Sequence, residues 1–297
     1  MTSKAHIQKR RNFAHFQSGQ AVFTSEAGQA VLIVLLSLSV VLIIVLYIMS
    51  RSITDLSLSS KEEESLRAFS AAEAGIERSL LTLLDSGGPI DGALFDAKVS
   101  SFGQGEVSVV YPVSLKSGES AVFWFAPDPD VAGDIRFSGD QMTICWGDPE
   151  TAVDSSAPAI EVAVYYGLST SLNVARIAID PFSAGRSNSF SAVDSGTCTI
   201  GSASFQFRKT INLTTTLGIA DLTQLQYASV RILYNTSIAH KIGIDVTGFG
   251  LLPSQGNQVT SLGTFSGANR KIEVFETRKV APPIFENVVF ATNGIVK

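Results

Sequence analysis

From Ala30 to Met49 the chain reads AVLIVLLSLSVVLIIVLYIM, twenty residues without a charge. Twenty helical residues at ~1.5 Å each span ~30 Å, the thickness of a bilayer's hydrocarbon. Fifteen of the twenty are Val, Leu or Ile. At roughly −0.4 kcal/mol each they contribute about −6 kcal/mol toward insertion, against small costs from Ser37, Ser39 and Tyr47. The pattern predicts a transmembrane helix over 30–49. The competing reading is the core helix of a soluble protein, but such helices are usually shorter and rarely go so far without a charge.

Behind the span the pattern turns amphipathic. In KEEESLRAFSAAEAGIERSLLTLL, Leu66, Phe69, Ile76, Leu80 and Leu83 recur at helical spacing and form a narrow apolar stripe. Glu62, Glu63, Arg67, Glu77 and Arg78 occupy the opposite face, with Glu63 and Arg67 in the favourable i,i+4 order. No proline or glycine interrupts Gln29 to Ala74, so one continuous helix over 29–85 is expected, amphipathic from 51 to 84. Asp85-Ser86-Gly87-Gly88-Pro89 carries the glycine-then-proline signature of its C-terminus. Glu73 falls on the stripe, four residues after Phe69 and three before Ile76. It is read either as an edge carboxylate reaching for water or as a buried partner for an arginine or a neighbouring subunit.

Beyond Pro89 the period falls from 3.6 to 2. Val107 to Leu115 alternates, and similar runs recur at 121–125, 142–146, 160–166, 174–179, 205–213, 230–234, 242–246 and 272–275. Turn-forming clusters separate them. One short helix is a weak candidate at Ile219 to Ala228. The fold class expected is α+β: a leader over 1–28, the long helix, and a β-rich extracytoplasmic region over 90–297. Its Ser- and Gly-rich stretch at 180–200 is a candidate divider between two subdomains.

Charge orients the chain. Residues 1–28 carry Lys4, Lys9, Arg10 and Arg11 against Glu26, a net of +3; with −5 overall, the remainder is −5 − 3 = −8. A basic flank directly before an apolar span holds the N-terminus in the cytoplasm and sends the body across the membrane. An acidic body argues against a nucleic-acid partner. The apolar run is too long for a cleaved secretory signal, so the span is expected to stay, and Gly28-Gln29 is the natural place to remove the basic leader instead. Cys145 and Cys198 are the only cysteines, and both fall in the part assigned to the outside. They are read as a disulfide or as two buried thiols.

Catalytic chemistry is hard to find. Of three histidines, His6 and His15 lie in the leader, and His240 is read as a strand-edge or surface residue. No His cluster, phosphate-binding glycine loop or nucleophile elbow occurs, so no enzyme and no cofactor are expected. Asp128-Pro-Asp130-Val-Ala-Gly-Asp134 places three carboxylates around a turn, a weak candidate for calcium that does not match EF-hand spacing.

Together the basic leader, the small residue before a proline-free span, the amphipathic continuation and the β-rich body resemble type IV pilin-like proteins. Ala68-Phe69-Ser70-Ala71-Ala72-Glu73-Ala74-Gly75-Ile76-Glu77 resembles the characteristic segment of PilX-type minor pilins, similar in layout to the K-type minor pseudopilins of type II secretion. The likeness covers residues 20–85. It implies cleavage by a prepilin peptidase after Gly28, methylation of Gln29, and extraction by inner-membrane assembly machinery into a filament with other pilin-like subunits. Phe69, Glu73 and Ile76 would then be assembly residues, and the body would reach the pilus or cell surface.

Two departures matter. Gln29 stands where major pilins carry Phe or Met, and Ile33, the fifth residue after the cut, stands where they carry Glu. A carboxylate at that depth costs roughly 2.5–3.5 kcal/mol to insert, so major pilins must gain something from it. A subunit lacking it can offer its ammonium to another's Glu but cannot receive one, which points to a minor subunit at or near a tip. The alternative is an uncleaved single-pass protein whose outer β domain binds a ligand, surface glycan or envelope partner. A membrane-tethered hydrolase is a more distant third reading.

Overall fold

The structure is a computed structural model that describes residues 26–168 and 171–280. Most of the leader expected over 1–28 therefore lies outside the described residues. The chain divides into two compact units, one ending at Glu62 and one beginning at Glu63. Helix α1 runs unbroken from Glu26 to Thr82. It starts three residues earlier than expected, so Gly28 and Gln29 already lie in helical conformation. Its apolar part is long and hydrophobic enough to cross a membrane, and its side chains from Val31 to Met49 are exposed all round.

The helix stops before its glycines. Leu83 takes the left-handed conformation (φ 52°) and its N–H donates to the Ser79 carbonyl at 2.7 Å, closing the last turn. A leucine there costs ~1 kcal/mol or more that a glycine would not. The expected stop signal is instead strand β1 (Ser86–Ile90), which tolerates Pro89 because it is the outermost strand of its sheet.

Thirteen further strands follow among the described residues. They begin with β2 (Ala93–Phe102), β3 (Ser108–Val110), β4 (Ser120–Trp124) and β5 (Gln141–Trp146). The middle set is β6 (Ala159–Leu168), β7 (Ser171–Ile179), β8 (Cys198–Ile200), β9 (Ala203–Phe205) and β10 (Phe207–Asn212). The last described strands are β11 (Leu225–Leu233), β12 (Ile242–Asp245), β13 (Gly256–Phe265) and β14 (Ala268–Thr277). They form three four-stranded antiparallel sheets, β1-β2-β13-β14, β10-β5-β12-β3 and β4-β11-β6-β7, with the hairpin β8-β9 apart.

The second and third sheets share one core, in which Phe123, Ile144, Trp146, Val162 and Val230 are fully enclosed. Truncating one of the large aromatics there should cost roughly 3–5 kcal/mol. Strands from before and after 180–200 alternate within these sheets, so that stretch does not divide the body. It is tied down instead: buried Asp180 accepts from Arg186 at 2.5 Å and from Asn188 at 2.6 Å, and Arg186 also donates to the Ala157 carbonyl at 2.7 Å.

Other sequence expectations shift locally. The helix proposed over 219–228 is a single 3-10 turn, Leu222–Gln224, leading into β11. The run Val107 to Leu115 narrows to β3, because Pro112 has no N–H to continue the ladder. Strands β2 and β13 carry too many small and polar residues to read as strands, for a reason that lies in the helix seam.

Candidate functional site

The face that α1 turns to the body is not the stripe of large residues. Leu66 is 66% exposed and Phe69 42%, whereas Ala68, Ala71, Ala72, Gly75, Ile76 and Ser79 are buried. These small side chains lie on the sheet β1-β2-β13-β14, against Ala93, Phe95 and Ala97 of β2 and against β13. The fit is close: a Cβ added at Gly75 would meet the Ser261 Oγ at 2.3 Å, and one at Gly263 would meet the Ala68 carbonyl oxygen at 1.9 Å. Helix and strand thus approach backbone to backbone, which only small residues permit.

Polar contacts fix the register of that approach. Arg270 Nε on β14 donates to Ser65 Oγ at 2.8 Å, and the Arg67 guanidinium lies 5.0 Å from the Phe265 ring centroid. Of the residues named from sequence, Ile76 is buried in the seam while Phe69 and Glu73 border a shallow groove of ≈ 280 Å³ beside it. Glu73 is exposed, so its carboxylate is not a buried partner within this chain. Ile272 and Val274 of β14 form the far wall of the groove. Ile33 lies in the apolar unit with its side chain exposed.

Comparison with protein-family models, curated proteins and solved structures finds no match to this chain. Its function must be read from its own geometry.

The acidic turn is occupied by internal donors. Asp128 Oδ2 lies 3.3 Å from Arg278 Nε, and the Asp134 carboxylate accepts from the Asp128 N–H at 2.7 Å and the Ser254 N–H at 3.0 Å. Asp130 is exposed, and its own N–H donates to Asp128 Oδ1 at 3.1 Å. The guanidinium of Arg278 also lies 3.9 Å from the centre of the Trp124 ring and donates to the Ala126 carbonyl at 2.7 Å. Asp128 therefore ties the loop to Arg278 just past β14, and Asp134 ties it to Ser254 just ahead of β13. Among the described residues, no group of three or more potential ligands is arranged to hold a metal.

Cys145 on β5 is bonded to Cys198 on β8, with Cα atoms 6.0 Å apart. With Ile200 and Phe205 they form a small apolar cluster beneath the β8-β9 hairpin.

His240 is not a surface residue: it is 1% exposed. The Asn235 side-chain oxygen is taken up by the N–H groups of Ser237 and Ile238, which leaves its amide nitrogen to donate to His240 Nε2 at 3.1 Å. Nε2 must then be an acceptor and the ring neutral. Burial lowers the His240 pKa below its ordinary value, and the nearby Asp148 only partly opposes this. The neutral form is the one that folds. This contribution to stability is whole above the unfolded value of ~6.5 and is lost as pH falls through the lower folded value. The melting temperature of the full chain in detergent should therefore drop on acidification below about pH 6.5, and His240→Gln should flatten that part of the profile. An unchanged profile would remove the assignment.

Proposed function

We propose that this chain is a minor pilin-like subunit, anchored in the cytoplasmic membrane with its N-terminus inside and assembled at or near the tip of a filament, where the β-rich body makes subunit or surface contacts. The observation that carries this reading is the division of labour around α1. Small residues seat the helix on its own body, and the large apolar side chains Leu66 and Phe69 are left outside. A helix used only as a tether has no need of apolar side chains on its water-facing turns.

Its mechanism is assembly without turnover. Apolar helix surface supplies the binding energy, and Ile33 leaves no carboxylate to receive the ammonium of a following subunit. A prepilin peptidase and inner-membrane assembly machinery are the partners this requires.

Processing is the direct test. Mass spectrometry of the membrane-extracted protein should find a chain starting at methylated Gln29, and Gly28→Leu should leave the leader attached. A mature protein that keeps residues 1–28 intact would instead support the uncleaved anchor with an outer binding domain. Abundance is a second test: a filament in which this chain is the main subunit would contradict the minor role.

A further inference from the structure

An antiparallel sheet ends in a row of backbone N–H and C=O groups that can take another strand, and folds usually close such edges. Among the described residues, five of the six outer edges of the four-stranded sheets are short, blocked or charged. Strand β1 carries Pro89, and β3 is only three residues long. On β4 the Gln255 side chain takes both backbone groups of Trp124, accepting the N–H at 2.7 Å and donating to the carbonyl at 3.0 Å. On β10 Asp194 plays the same part: its carboxylate accepts the Thr210 N–H at 2.7 Å, and its own N–H donates to the Arg208 carbonyl at 2.9 Å. Strand β14 carries Arg270, Lys271, Glu273 and Glu276, charges that discourage pairing.

Strand β7 is different. It pairs with β6 through nine residues in unbroken register, contains no proline, and is uncharged from Ser171 to Ala175. Leu172 and Val174 are 49% and 43% exposed. Its C-terminal end is covered, where the Ser191 N–H donates to the Ala178 carbonyl and the Ser191 carbonyl accepts from the Asp180 N–H, both at 2.9 Å. Outward and inward backbone groups alternate along an edge strand, so Leu172 and Val174 also present theirs outward. Among the described residues, no backbone hydrogen bond reaches those groups.

We infer that this edge pairs with β7 of a second copy of the chain, antiparallel and about a two-fold axis at Asn173. That register sets Leu172 of each copy beside Val174 of the other, apolar against apolar, and brings about four backbone hydrogen bonds. Asn173 then faces its own counterpart, and a carboxamide supplies both the donor and the acceptor that such a pair needs. Arg176 stays outside the central contact with its guanidinium 2.9 Å from Glu161 on β6. An axis two residues further on, at Ala175, would bring the two guanidiniums toward each other instead. A charged partner strand finds no charge to match over 171–175, whereas a copy is complementary by symmetry, and the isologous contact closes because each open edge covers the other. About five residues a side bury less than the ~1,200 Å² of a stable complex, so the pairing is reversible and depends on concentration. It does not rest on the filament reading.

Cysteine crosslinking of the full chain in detergent tests it. The two native cysteines are bonded to each other, so Asn173→Cys adds a single free thiol. Opposed residues of a non-hydrogen-bonded pair lie ~4.5 Å apart at Cα, within disulfide reach, whereas the two copies' residues 174 would lie more than ~7 Å apart. Mild oxidation should therefore give a covalent dimer roughly tenfold faster from Asn173→Cys than from Val174→Cys. Adding Val174→Pro to the first should abolish the dimer with the melting temperature unchanged, because an outward N–H on an edge strand belongs to no ladder within the chain. Equal rates at the two positions, no dimer at either, or a dimer that survives the proline would overturn the proposal. Hydrogen exchange reads the same contact without a substitution: amides in 171–175 should gain protection as the parent protein is concentrated. Protection that stays flat into the millimolar range would overturn the proposal as well.

Discussion

Gly263→Val should detach the C-terminal part of α1 from its sheet and lower stability by on the order of 3 kcal/mol. Even the first added carbon would lie 1.9 Å from the Ala68 carbonyl oxygen and 2.6 Å from the Ala72 nitrogen, both backbone atoms that cannot rotate aside. Either the helix shifts outward along its length or β13 buckles between β2 and β14, and both disturb the seam of Ala68, Ala72 and Gly75. The expected result in detergent is a melting temperature lower by about 10 °C, at 2–4 °C per kcal/mol for a body of this size. Trypsin should also gain access to Arg67 and Arg78. Phe69→Ala is the matched control: its ring lies at the surface, so it should leave the melt nearly unchanged while weakening any contact that the outward face makes with another subunit. If both variants melted alike, the seam would not be where the helix is held.

Cys145→Ser combined with Cys198→Ser should cost about 4 kcal/mol in the chain-entropy account of a loop this long. The bridge spans 53 residues and connects β5, central in its sheet, to β8, which among the described residues pairs only with β9. A two-stranded hairpin is at best marginal alone in water, so the bond and the cluster of Ile200 and Phe205 are what keep it on the sheet. The double variant should lose amide protection first across 198–205, and a reductant should reproduce the loss in the parent protein. Full retention of protection there would assign the hairpin's stability to packing alone.

The two results depend on features with very different sequence signals. The cysteine pair was conspicuous by number and by placement beyond the span, although its geometry was not. The seam was almost invisible. Its residues are small, and a reading that looks for large apolar side chains at helical spacing selects Leu66, Phe69 and Leu83, the ones left exposed. The signal was present as Ala68, Ala72, Gly75 and Ser79 at intervals of 4, 3 and 4, but small residues mark a close approach only once the opposing surface is known. That surface is β13, whose sequence GNQVTSLGTF lacks strand-like apolar alternation because Ser261 and Gly263 face a helix backbone rather than a hydrophobic core.

Local pattern failed elsewhere for similar reasons. Gly87, Gly88 and Pro89 look like a helix stop, but Leu83 had already closed the helix and released them to an edge strand. His240 carried no sign of burial, since its enclosure depends on Asn235 and Asp148 arriving from separate loops.

By itself the sequence determined the uncharged helical run, the continuation of that helix beyond it, and a β-rich body after Pro89. Those properties follow from length, charge and periodicity, which act on neighbours along the chain. Only the tertiary structure decided which face of the helix meets the body, that strands on both sides of 180–200 belong to the same sheets, and that Arg278 rather than solvent meets the acidic turn. Each of these depends on surfaces far apart in sequence coming within a few ångströms, where steric fit and the partners of buried charges are set by atoms that no local pattern contains.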